Sequence, residues 1–205
     1  WTAATDERGG TPGAENSVWG AVLDESAPEL LGWEVPGEDM LALALSERAE
    51  SPVLGMFTLD GQHPVGIVQK NGSLHLEFAR PIPEGRFLEA KISGLHDCTG
   101  NVLDTAFRVA IGKAPVAGDI YLTEVLADES PQVGLPDTEF LEVFNASGGL
   151  LQLGGMLLAD GRDTTEIPGF LLEDGGYLVL CPTSKAALFP DGAALGVPGD
   201  RKSVV

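Results

Sequence analysis

The chain has 205 residues, of which 31 are acidic and 12 basic, for a formal net charge of −19. Such a balance repels phosphate backbones and anionic lipid heads, so neither nucleic acid nor a membrane surface is an expected partner. Hydrophobic residues make up 43%, enough for one large domain or two smaller ones, and 27 glycines with 14 prolines favour short strands over long helices. No apolar run reaches the roughly 18 residues of a membrane span, so membrane insertion is not expected, and no signal-peptide pattern opens the chain. Trp1 in first position reads as the start of a processed product or an excised piece.

Residues 1–29 lack periodicity, and Asp24-Glu25-Ser26-Ala27-Pro28 reads as a linker. Alternating patterns then predict strands over 30–35 and 40–45, where Leu41, Leu43 and Leu45 alternate with Ala42 and Ala44. Stretches 54–59 and 65–68 bracket the turn pair Asp60-Gly61, and Asn71-Gly72 predicts a hairpin joining 65–69 to 73–79. Strands over 86–92 and 101–111 complete an antiparallel sandwich. Residues 113–118 form a second boundary. Strands are predicted beyond it over 119–126, 139–145, 155–159, 165–171 and 177–181, with one short helix over 184–189. The tail from 191 to 205 is Gly-rich and ends without a turn or cap, and this second sandwich is expected to stop unfinished. The predicted fold class is therefore all-β, with two consecutive immunoglobulin-like β-sandwiches over 28–117 and 118–205 behind an N-terminal stub, 1–27.

Cys98 and Cys181 lie far apart, make no CxxC pair and are too few for a disulfide framework; whether they pair stays open. His63, His75 and His96 are scattered singly, which speaks against zinc. No nucleophile elbow, phosphate-binding loop or dinucleotide fingerprint occurs. Asp97-Cys98-Thr99-Gly100-Asn101 reads as a turn with Gly100 or Asn101 at positive φ. Trp19, Trp33 and Phe57 are either core residues or the lining of a sugar- or protein-binding face.

Residues 118–182 resemble a lamin tail domain. The likeness rests on Gly118-Asp119-Ile120-Tyr121-Leu122-Thr123-Glu124-Val125-Leu126 and Glu139-Phe140-Leu141-Glu142-Val143-Phe144-Asn145. It continues in Leu153-Gly154-Gly155-Met156-Leu157-Leu158-Ala159-Asp160-Gly161 and Leu172-Glu173-Asp174-Gly175-Gly176-Tyr177-Leu178-Val179-Leu180. Met156 stands where that family usually has Trp. The preceding segment resembles a bacterial Ig-like module of surface proteins through Pro28-Glu29-Leu30-Leu31, Leu43-Ala44-Leu45-Ser46-Glu47 and Asp97-Cys98-Thr99-Gly100-Asn101. Trp1 and Gly9-Gly10-Thr11-Pro12-Gly13-Ala14-Glu15-Asn16-Ser17 resemble the closing strand of a lamin tail domain, which suggests a window cut from a longer array. The resemblance implies an exported, multidomain bacterial protein, secreted or on the cell surface. It implies a non-catalytic structural or adhesion module whose partners are the parent's other domains and a protein or glycan ligand. The alternative is an accessory domain of a secreted nuclease or phosphoesterase whose catalytic part lies outside this chain.

Glu124 and Glu142 are the most informative polar residues. Regular alternation would place Leu122, Glu124 and Leu126 on one face, and Phe140, Glu142 and Phe144 on another. Each carboxylate would then sit among apolar neighbours, where it either accepts hydrogen bonds, pairs with Arg162, or serves as a calcium ligand completed by loop oxygens. Asp128, Glu129, Asp137 and Glu139 form an acidic loop beside them without a dedicated calcium-loop register. Glu124, Glu142, Asp128 and Asp137 are thus the calcium candidates, and no other cofactor is expected. Asp160, Asp163 and Glu166 form a weaker acidic group. An unfinished sandwich leaves a sheet edge open, and either pairing of that edge with a second copy or filling of the gap by residues 1–17 of a neighbour is expected.

Overall fold

The computed structural model describes residues 24–70, 72–127, 134, 136–159 and 164–198. The protein is all-β, built mostly of antiparallel ladders, and its described residues fall into two compact units. One holds the described residues up to Thr58, with Gln62–Ala79 and Lys91–Ala106. The other holds Leu59–Gly61, Arg80–Ala90 and the described residues from Phe107 onward.

In the first unit β1 (Leu30–Gly37), β2 (Met40–Leu45), β4 (Gly66–Lys70) and β5 (Ser73–Glu77) make an antiparallel sheet in the order β1-β2-β5-β4. The register sets Leu41 opposite Leu76 and Leu43 opposite Leu74, all four at most 2% exposed. Each fully buried aliphatic side chain of this kind contributes roughly 1.5–3 kcal/mol. The hairpin between β4 and β5 closes at Lys70 and Ser73, with Gly72 at φ 85° as the sequence leads one to expect; Asn71 lies outside the described residues.

Asp60-Gly61 behaves differently. Both residues adopt positive φ, 49° and 76°, as a tight hairpin turn requires. Yet the strand before it, β3 (Phe57–Leu59), belongs to a sheet ordered β3-β6-β7 with β6 (Arg86–His96) and β7 (Val102–Ile111). Asp60 explains the diversion: its Oδ2 is 2.6 Å from Arg86 Nη2 and its Oδ1 accepts the Glu89 N–H at 3.0 Å. The predicted strand over 54–59 is also shorter, because Leu54–Met56 is a 3-10 turn in which Met56 N donates to Val53 O.

The second unit is organised around β8 (Ile120–Leu126), β9 (Phe140–Asn145), β14 (Tyr177–Pro182) and β15 (Ala194–Val197), in the order β15-β14-β9-β8. Facing it are two short ladders. β10 (Leu151–Gln152) pairs with β13 (Leu171–Leu172), and β11 (Leu157–Ala159) pairs with β12 (Thr164–Glu166). Leu141, Leu151, Leu153, Leu172, Leu178 and Leu180 fill the core between. On the sheet's other face Phe140, Val179 and Cys181 are covered by Phe189 at the end of a 3-10 helix, Thr183–Leu188, where the sequence predicts a short helix over 184–189. The Phe140 and Phe189 rings meet edge to face at 5.6 Å.

One predicted strand is corrected. The single strand over 165–171 is split into β12 and β13 around Pro168-Gly169, where proline supplies no ladder N–H. The tail adds a strand that the sequence does not predict: Ala194–Val197 pairs in parallel with β14, and Gly196 passes so close to the 3-10 helix that an added Cβ would lie 2.7 Å from Thr183 Cα. Cys98 is exposed and Cys181 buried, and both are free thiols.

Candidate functional site

The turn joining β6 to β7 is organised by one buried carboxylate. Asp97 Oδ1 accepts the backbone N–H groups of Thr99, Gly100 and Asn101 at 2.8, 2.6 and 2.9 Å, with Gly100 at φ 92°. Its Oδ2 accepts from Asn101 Nδ2 at 2.8 Å. The same Asn101 amide donates to the carbonyls of Asp24 at 2.8 Å and Ser26 at 3.1 Å, and Thr99 Oγ1 donates to Asp24 O at 3.2 Å. The stretch that reads as a linker is therefore strapped onto this turn.

The strap brings three carboxylates together: one oxygen each from Asp24, Glu47 and Asp97 lie within 4.8 Å of one another. Burial by itself would raise the Asp97 pKa, but the hydrogen bonds from Asn101 and Thr99 outweigh it and hold the carboxyl at about 2. Glu47 moves the other way, pushed up by desolvation and then by the charges of Asp24 and Asp97. Clustered oxygens are what a hard cation takes as ligands. Asp97, however, already spends both oxygens on the turn, which leaves Asp24 and Glu47 as the groups with free lone pairs. In the sequence these residues stand apart, in a linker, after a strand and in a turn; only the fold brings them together.

Of the calcium candidates, Glu124 and Glu142 are cross-strand neighbours on β8 and β9, and Asp137 lies just before β9, its backbone carbonyl accepting from Lys185 Nζ at 3.2 Å. Asp128 lies outside the described residues, as do Glu129, Asp160, Arg162, Asp163 and Trp19. Glu142 accepts from the Thr123 hydroxyl at 2.7 Å. Glu166, one of the three residues of the weaker acidic group, stands on β12 opposite Leu157. Phe57 is buried and Trp33 half-buried opposite Leu43, while His63 and His96 each bond a backbone carbonyl through Nδ1, at Phe57 and Asp97.

The faces of β8 differ from the expected alternation. Leu122 pairs with Val143 but the next pair is Glu124 with Glu142, so one extra residue bulges at Thr123. The bulge reverses parity. Ile120, Leu122 and Val125 face inward, whereas Tyr121, Glu124 and Leu126 share the outward face with Phe144, Glu142 and Phe140.

β8 is also the free edge of its sheet: among the described residues no strand lies on its far side. Its consecutive apolar pairs Tyr121-Leu122 and Val125-Leu126 are typical of a strand covered on both faces. Yet Leu122 is 57% exposed, and Tyr121 and Val125 are exposed too. Inward of this edge opens a cavity of about 450 Å³ lined entirely by apolar residues, among them Leu122, Val125, Val143, Met156 and Leu157. Leu157, on the opposite wall, is 69% exposed. An open backbone edge thus runs beside an apolar slot, the two elements that strand addition combines. Comparison of the chain with protein-family models, with curated proteins and with solved structures finds no match in any of the three.

Proposed function

We propose that this chain is a non-catalytic binding module of an exported, multidomain bacterial protein, secreted or displayed on the cell surface. In this reading it consists of two consecutive immunoglobulin-like sandwiches, the second of lamin-tail type, and its role is structural and adhesive. The motifs that carry the resemblance support this, because they fall on β8, β9, β11 and β14 and on the Asp97 turn.

The observation that carries the function is the exposed edge of β8 beside its apolar cavity. Main-chain hydrogen bonds along β8 would hold an extended polypeptide, and alternate side chains would enter the slot. A glycan fits less well, since sugars are held by stacked aromatic rings and placed polar groups, and the lining has neither. The test is calorimetric titration with a capped peptide of alternating Thr and Val, beside the same peptide N-methylated at every second amide. Saturable binding of the first and none of the second is expected. No binding of the first, or equal binding of both, would overturn the reading.

A further inference from the structure

Resting on the β8 docking reading, we infer that the segment taken by this edge alternates aliphatic with basic residues. Sheet geometry fixes which side chains go where. A strand added to the open side of β8 points every second residue inward, beside Leu122 and Val125 and into the cavity, where only apolar side chains find partners. The residues between point outward and flank Glu124.

Charge decides what stands there. Glu124 is exposed on the edge strand and sits directly across from Glu142, and like charges in that position disfavour the pair. Glu142 has the Thr123 hydroxyl as its donor at 2.7 Å. No salt bridge reaches Glu124 among the described residues. A lysine or arginine on the incoming strand would supply the missing cation, and the whole chain, at −19, attracts a basic segment and repels an acidic one. The same charge argues against a second copy as occupant. Two copies paired through β8 would bring together surfaces of like sign and place further glutamates at the seam.

The experiment compares capped peptides alternating Lys with Val, Thr with Val, Glu with Val, and Lys with Ser, titrated into the full chain at two salt concentrations. The expected order is Lys-Val tightest, Thr-Val next and Glu-Val weakest, with about fivefold to tenfold between the extremes. Lys-Ser, of equal charge but without aliphatic side chains, is expected not to bind, which separates docking from bulk attraction. Glu124→Lys should reverse the order of Lys-Val and Glu-Val while leaving Thr-Val unchanged. If Thr-Val binds but Lys-Val and Glu-Val bind equally, the charge inference falls and the docking reading stands. If no peptide binds, the docking reading itself falls. Lys-Ser binding as tightly as Lys-Val, or a light-scattering dimer that Val125→Asp abolishes, would overturn the inference in favour of bulk charge or of a second copy.

Discussion

Asp97 and Glu47 each bring a carboxylate oxygen within 4.8 Å of the other and yet respond to acid in opposite senses. Asp97, held at about 2 against an ordinary 3.8, adds stability that is complete above its unfolded value and is lost as pH falls through about 2. Glu47, raised above 4.5, binds its proton more readily folded than unfolded, so it contributes stability as pH falls toward 4.5 and loses it as pH rises again. The melting temperature is therefore expected to rise as the pH is lowered from neutrality and then to drop below about 4. Glu47→Gln should raise it at pH 7 and flatten the first limb; calorimetry across the range checks both. Asn101→Ala, which cuts the ties to Asp24 and Ser26, is expected to cost about 2 kcal/mol in a denaturant titration. That Asp97 opens a turn was legible locally, because Asp and Gly carry the turn chemistry themselves. That its partners include carbonyls at 24 and 26 was not, since a carbonyl leaves no trace in the residue type.

At the level of elements, the strands most legible in the sequence were those with strict alternation. β5 matches it because Leu74 and Leu76 are buried while the residues between them are not, and in β2 Leu41, Leu43 and Leu45 alternate with Ala42, itself buried, and Ala44, half-buried. The bulge at Thr123 was illegible: nothing in Leu122-Thr123-Glu124 departs from a regular strand, and parity is lost only through pairing with β9. β15 was hidden likewise, since a parallel strand owes its place to a distant neighbour, here β14. Close backbone approach is a further element-scale feature. A Cβ on Gly112 would lie 2.5 Å from Gln152 N and 2.8 Å from the Leu151 carbonyl carbon, where Lys113 and Leu151 bridge. Gly112→Ala is expected to destabilise by roughly 1–3 kcal/mol. Leu178→Ala, which empties a fully buried site opposite Val143, is expected to cost about 2–5 kcal/mol. Urea unfolding measures both, and an effect below half a kilocalorie for either would contradict the packing described (~0.5 kcal/mol).

For the molecule as a whole the dominant quantity is charge. With 31 acidic residues against 12 basic, self-repulsion opposes the compact state, and the effect reaches no farther than about 10 Å at 0.1 M salt. Added sodium chloride is expected to raise the melting temperature steadily through the low-salt range; a fall would mean that attractive pairs such as Arg86–Asp60 outweigh the repulsion. Acidity also fits an apolar edge that stays accessible, since like-charged copies keep apart while a basic segment is drawn in.

Amide hydrogen exchange over residues 119–127, with and without the Lys-Val peptide, addresses the role of β8 most directly. The account predicts fast exchange along the free edge and marked protection of β8 on binding, with Glu124→Lys cutting that protection. Protection centred elsewhere, or an edge already protected in the free chain, would contradict it.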